Sequence, residues 1–174
     1  MAECLGRVYP IYQEAWSGDY CPAIRRSLEL GRMYGCGLPI DPVELQGCKE
    51  YVEDVLNYYH EDGFDILSAT VTVSFRLLES MSPDEGEAML AVARGLYATL
   101  NTANSAEAMV IDYPLRQRHI EVAVAEEEAR QEEALTSVTQ WTGIADRKMF
   151  DGLGGKPPAW LLAWQTCPTH WADG

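Results

Sequence analysis

The sequence has few basic residues: 13 Lys and Arg stand against 27 Asp and Glu, which gives a formal net charge of −14. A protein that binds DNA, RNA or an anionic membrane surface needs Lys and Arg to neutralise phosphate groups. We therefore expect no direct contact with nucleic acid and no membrane binding. A chain of this charge favours a protein partner that has a basic surface.

The sequence also lacks a long apolar run and the pattern of a signal peptide. It contains no stretch of about 18 apolar residues, which excludes an ordinary transmembrane helix. It does not open with a basic segment followed by an apolar one. The cysteines number five, an odd count, and no C-x-x-C pair occurs. Unpaired thiols indicate a reducing compartment, so we expect a cytoplasmic protein.

No motif for catalysis, for a metal or for a cofactor is complete. The segment 152–156 lacks the spacing of a phosphate-binding loop, and its Lys156 is followed by Pro157 rather than by Ser or Thr. Cys167 and His170 supply only half of a structural zinc site, which needs four ligands. We therefore expect no metal, no cofactor and no catalytic residue.

The apolar residues follow helical spacing over most of the chain. Asp41 and Pro42 predict a helix start, because Asp is a good N-cap and Pro suits the first helical position. The helix that follows has an apolar stripe formed by Cys48, Tyr51, Val52, Val55 and Tyr59. Comparable patterns elsewhere predict an all-α fold, a compact single-domain bundle of about seven to eight helices.

Residues 66–78 fit two different structures. Ser68 to Phe75 alternate with a period of two and include several β-branched residues, which is typical of a strand. Ile66, Thr70, Val73 and Leu77 also fit one face of a helix. No partner strand is evident, and a single strand cannot satisfy its backbone. We therefore predict a helix, with a strand as the alternative.

Ser82, Pro83 and Glu85 predict the next helix start, with Ser82 as the N-cap in a capping box. The face that this pattern assigns to the core consists of Met89, Val92, Ala93, Leu96, Tyr97 and Leu100. We predict a turn over 101–105 and a short helix from there to Ile111.

Two acidic helix faces are the most distinctive features of the sequence. One lies on the helix that starts at Asp41 and Pro42, opposite its apolar stripe, and includes Glu50, Glu53, Asp54 and Glu61. The other lies in a long predicted helix over 114–141, where two turns are polar on every side except at Ala129. Its carboxylates are Glu126, Glu127, Glu128, Glu132 and Glu133. We predict that both sets are exposed, because a helix that is polar all round borders solvent or bridges between parts.

The pattern of Gly and Pro divides the chain into three parts. Residues 1–151 form the helical domain, and residues 152–158 form a connector with three Gly and two Pro. Residues 159–174 form a Trp-rich element that packs on the body or docks onto a partner. Trp160 and Trp164 are its candidate contact residues, because Trp is enriched in interface hot spots.

These observations favour a non-enzymatic module that binds a basic protein surface through its acidic faces. A specific version is an inhibitor that imitates nucleic acid and blocks the groove of a nuclease or DNA-binding complex, as anti-CRISPR and anti-restriction proteins of phages do. One alternative is a structural or adaptor subunit that pairs through the C-terminal Trp segment, including as a homodimer. The other is a small helical enzyme without a recognisable motif.

Overall fold

A computed structural model shows a helical bundle, and it describes residues 1–15, 21–62, 65–110 and 116–140, together with Ala159. The helices are α1 (Ala2–Ala15), α2 (Cys21–Gly35), α3 (Pro42–Asp62), α4 (Asp65–Glu79), α5 (Glu85–Val110) and α6 (Arg116–Gln140). The predicted all-α class is confirmed for these ranges, which contain no strand. The connector over 152–158 and the Trp-rich element over 159–174 lie outside the described residues, except for Ala159.

Helix α4 is the centre of the bundle, where it packs against α1, α2, α3 and α5. Its buried residues form one wide face and are Thr70, Val71, Val73, Ser74, Phe75, Leu77 and Leu78. The wider the apolar face of a helix, the more of it is buried, so the run that also fitted a strand is explained by the central position of α4. Thr72 remains satisfied because its hydroxyl donates to the carbonyl of Ser68 at 2.8 Å.

The start of α3 confirms the prediction from Asp41 and Pro42, and the end of α2 is determined by a few adjacent residues. Asp41 is the N-cap of α3, because its Oδ1 accepts the amide N–H of Val43 at 2.9 Å. Helix α2 ends in a Schellman motif, in which the amide of Leu38 donates to the carbonyl of Met33 at 2.9 Å. Gly37 occupies the left-handed position that this motif requires, with φ of 67°.

Helix α5 differs from the prediction at its start. Its N-cap is Asp84 instead of Ser82, because Asp84 Oδ1 accepts the amide N–H of Glu87 at 2.9 Å. The Ser82 hydroxyl instead donates to the carboxylate of Glu87 at 3.0 Å. The carboxylate of Asp84 therefore satisfies one of the first amides of the helix, that of Glu87.

Helix α5 also continues through 101–105, where we predicted a turn. Thr102 and Ala103 are fully buried, and the Thr102 hydroxyl donates to the carbonyl of Ala98 at 3.0 Å. Burial in the bundle thus outweighs the modest helix propensity of this segment. One helix replaces two predicted ones, which is one reason why the described residues form six helices instead of seven to eight.

The predicted core face of α5 is correct in part, because Leu96 is partly buried and packs against the core, but it is wrong at Met89, Ala93 and Tyr97. Met89 is 74% exposed and Tyr97 is 65% exposed. The buried side consists of small residues instead: Ala91, Gly95, Ala98, Thr99, Thr102 and Ala103. Small side chains allow α5 to approach α4 closely, and an ideal Cβ on Gly95 would lie 3.1 Å from the Cβ of Arg76.

Candidate functional site

The outer face of α3 carries an acidic cluster formed by Glu50, Glu53 and Asp54. All three residues are exposed, as predicted. Glu50 accepts a hydrogen bond from Nε2 of Gln46 at 2.8 Å. Within the described part of the chain, none of the three carboxylates forms an ion pair with Lys or Arg. The cluster therefore presents uncompensated negative charge to solvent.

Two tyrosines flank this acidic cluster. Tyr51 is 39% exposed and Tyr58 is 45% exposed. The spacing places Tyr51 in the apolar stripe, but the buried residues of that stripe are Val52 and Val55. Leu56, outside the predicted stripe, is also buried. Tyr51 and Tyr58 are seven residues apart and so lie on one side of the helix, a spacing that could have identified the pair. Partly exposed Tyr beside charge is common in protein interfaces.

Glu44, at the start of the same helix, does not belong to the acidic cluster, because Arg26 of α2 binds it. The Nε of Arg26 donates to Glu44 at 2.7 Å, and its Nη1 donates to Glu29 at 2.8 Å. The hydrogen bond from Arg26 lowers the pKa of Glu29 below its ordinary value. Both carboxylates in turn raise the pKa of Arg26. This triad joins α2 to the first turn of α3.

Cys48 lies on the inner side of α3. Its thiol is 3.6 Å from the hydroxyl of Ser27 and 3.7 Å from the carbonyl of Ala23. Burial raises the pKa of Cys48 above its ordinary value. A neutral, partly buried thiol is a packing group and a poor nucleophile.

The carboxylates of α6 fall into different environments. Glu128, Glu132 and Glu133 are exposed, as predicted. Glu126 is partly buried and binds Arg130 at 3.3 Å. Both of its oxygens also accept the amide N–H of Ala159, at 3.1 and 3.2 Å. Glu126 therefore connects α6 to the first residue of the Trp-rich element.

The expectation that Glu127 is exposed is wrong. Its side chain is completely buried and accepts hydrogen bonds from Nη2 of Arg7 at 2.6 Å and from Nε of Arg7 at 3.1 Å. Gln131, one turn later, donates to Glu127 at 3.2 Å and to the carbonyl of Leu96 at 3.3 Å. The polar run of α6 therefore has an inner side, whose charge is compensated by an arginine from α1.

The two acidic faces lie on helices that are not main packing neighbours. Helix α3 packs against α2 and α4, whereas α6 packs chiefly against α5. The acidic cluster on α3 and the exposed carboxylates of α6 are therefore separate surfaces.

Three of the predicted site residues are not among the side chains that the structure describes. The side chain of Glu61 and the residues Trp160 and Trp164 lie outside what the structure describes. Among the described residues, no group of three or more His, Cys, Asp or Glu side chains could hold a metal ion. None of the six helices combines the length and the apolar character that crossing a bilayer requires.

A scan against models of known protein families finds no match, and neither the search of curated proteins nor that of solved structures returns a significant similarity.

Proposed function

We propose that this protein is a non-enzymatic binding module whose acidic cluster on α3 engages a basic surface of a partner protein. One observation carries the proposal: Glu50, Glu53 and Asp54 are all exposed and lack ion-pair partners within the described chain, beside two half-exposed tyrosines. Uncompensated charge on one face accelerates association with a surface of opposite charge. Tyr51 and Tyr58 would supply the apolar contact area that slows dissociation.

A more specific form of the proposal is an inhibitor that imitates nucleic acid. Side chains three and four residues apart on a helix are about 5–6 Å from each other, a workable substitute for a row of phosphates. A nuclease or DNA-binding complex with a Lys- and Arg-lined groove, the kind of target met by anti-CRISPR and anti-restriction proteins of phages, would be the partner. We place the protein in the cytoplasm, which agrees with the free thiols of Cys4, Cys36 and Cys48.

The experiment compares three forms of the full chain in quantitative pulldowns from the native host. They are the wild type, the variant E50Q/E53Q/D54N on α3, and the control variant E128Q/E132Q/E133Q on α6, which removes the same number of exposed charges. We expect a basic protein that the wild type and the control retain and the α3 variant loses. Capture should weaken steeply between about 0.1 M and 1 M salt, as the screening length falls from about 10 Å to about 3 Å.

Other binding surfaces and an adaptor give different results in the same experiment. Loss of the partner from the α6 variant alone would move the binding surface to Glu128, Glu132 and Glu133. Capture that neither charge variant nor salt reduces would contradict the proposal and favour an adaptor that pairs through Trp160 and Trp164, or a homodimer. The melting temperatures serve as a folding control, because most surface substitutions change the stability by no more than about 0.5 kcal/mol each.

A further inference from the structure

A groove of about 420 Å³ lies between α4 and α5, and none of its described lining residues belongs to the acidic cluster on α3. Its lining consists of Thr72, Arg76, Ala93, Arg94, Tyr97, Ala98 and Asn101. Among the residues that the structure describes, the lining contains two guanidinium groups and no carboxylate, although the chain as a whole carries a net charge of −14. Its volume lies in the range of sites that hold small molecules.

Arg94 is available to a ligand. It is exposed, and it forms neither a salt bridge nor a hydrogen bond with any residue that the structure describes. By contrast, Arg25 and Arg26 bind Glu29, and Arg130 binds Glu126. A guanidinium without a counter-charge on the rim of a groove attracts anions, because its planar fork matches carboxylate and phosphate oxygens.

Arg76 is held in place on the opposite side of the groove. Its guanidinium carbon lies 5.3 Å from the centre of the Phe75 ring, and its Nη1 binds Glu79. Its Nε is buried and has no hydrogen-bond partner among the described residues. A guanidinium fixed by stacking and by one ion pair loses little freedom when it binds an anion.

The remaining lining residues suit the rest of a ligand. Tyr97 is 65% exposed, which is unusual for a large aromatic side chain. Its ring, with Ala93 and Ala98, offers an apolar surface to a planar group. Asn101 is exposed and can orient polar substituents.

We propose that this groove binds a small aromatic anion, with its carboxylate or phosphate between Arg94 and Arg76 and its ring against Tyr97. The neighbouring groove, which Arg94 also lines, is less suitable because Glu79 and Glu87 contribute to it. The site shares no residue with the acidic cluster on α3, so this proposal does not depend on the proposed function.

The test is a calorimetric titration of the full chain with phenyl phosphate, with benzoate and with phenol. The first two probes distinguish a phosphate from a carboxylate, and phenol is the uncharged control. We expect an anion to bind and R94Q to weaken its affinity about tenfold or more, as loss of a charge-assisted hydrogen bond does. Y97A should weaken both aromatic anions, whereas R25Q on α2 should leave the affinity unchanged.

Three results would overturn this proposal. They are the absence of measurable binding of either anion to the wild type, equal affinity of R94Q and wild type, and equal affinity for phenol and the anions. The melting temperature of R94Q separates loss of the site from loss of the fold. It should match the wild type, because Arg94 is exposed and has no ion-pair partner among the described residues.

Discussion

Arg7 in α1 holds both carboxylate oxygens of Glu127 in α6, at 2.6 and 3.1 Å, although the two residues are 120 positions apart. The side chain of Arg7 is 5% exposed and that of Glu127 is not exposed at all. A two-point contact of this kind is the strongest form of an arginine–carboxylate pair. Inside a protein, each charge depends on the other, because neither can be left alone without a large cost in solvation.

Replacing Glu127 with Gln should therefore destabilise the fold by about 3 kcal/mol or more, because the buried guanidinium of Arg7 keeps its charge and loses its two-point contact with a carboxylate. The matched control is E128Q on the same helix, whose side chain is exposed and whose replacement should change the stability by no more than about 0.5 kcal/mol. Urea denaturation gives both values. Equal stability of the two variants would show that the buried pair contributes little.

The double variant R7M/E127L separates the interaction within the ion pair from the free energy of burying two charges. It removes both charges and fills a similar volume with apolar atoms, so its loss of stability should be much smaller than the sum of the two single losses. Additive losses in the double-mutant cycle would contradict a direct interaction between the two side chains.

Replacing Gly31 with Ala tests how closely α2 approaches α4. An ideal Cβ at Gly31 would lie 2.8 Å from Cδ2 and 2.9 Å from Cδ1 of Leu77, so G31A should destabilise the fold by about 1–3 kcal/mol. Gly47 in α3 is the control, because a Cβ there has nothing within 4 Å. G47A should be neutral or should stabilise the fold by up to about 1 kcal/mol, since Ala favours helix over Gly. Thermal melting of the two variants should move in different directions.

Replacing Asp84 with Ala tests the N-cap of α5. The variant removes the acceptor of the Glu87 amide and should cost about 1 kcal/mol. S82A is the comparison, because Ser82 hydrogen-bonds a side chain at the surface and should matter less, about 0.5 kcal/mol or below. A larger loss in S82A than in D84A would restore the capping box that the sequence suggested.

Acid denaturation should report the pairing of Glu29 with Arg26. Because Arg26 lowers the pKa of Glu29, folding favours its carboxylate form. This stabilisation is complete above the ordinary pKa of Glu, about 4.3, and is lost as the pH falls through the lowered pKa. The Glu29 side chain is 43% exposed, so the effect should stay below about 1 kcal/mol. E29Q should flatten the stability profile below about pH 4.5 and leave its shape near pH 7 unchanged.

The sequence predicts best where the determinants are local. The start of α3 depends on Asp41 and Pro42, and the end of α2 depends on Gly37 and its neighbours, so both were predictable from a few adjacent residues. Helix α4 was predicted for a less direct reason, the absence of a partner strand. Its central position then accounts for β-branched residues on every side.

The sequence fails where a distant residue decides the outcome. The burial of Glu127 depends on Arg7, which lies 120 positions earlier in the chain. No local pattern in the run of Glu residues distinguishes Glu127 from its neighbours. The exposure of Met89 and Tyr97 depends on α5 approaching α4 through small residues. Hydrophobicity alone therefore wrongly assigned these two residues to the core.

The buried residues on the inner side of α6 affect the register in which this helix packs against α5. Over 121–136, where the structure describes its side chains, the buried residues are Ala123, Glu127 and Gln131. They are one turn apart, and none of them is a large apolar side chain that would fit only one pocket. A slip of α6 by one turn along α5 would place Ala123 or Gln131 opposite Arg7 and take the carboxylate of Glu127 away from its buried guanidinium. The ion pair thus selects one register of α6, as a single buried polar residue does in a coiled coil.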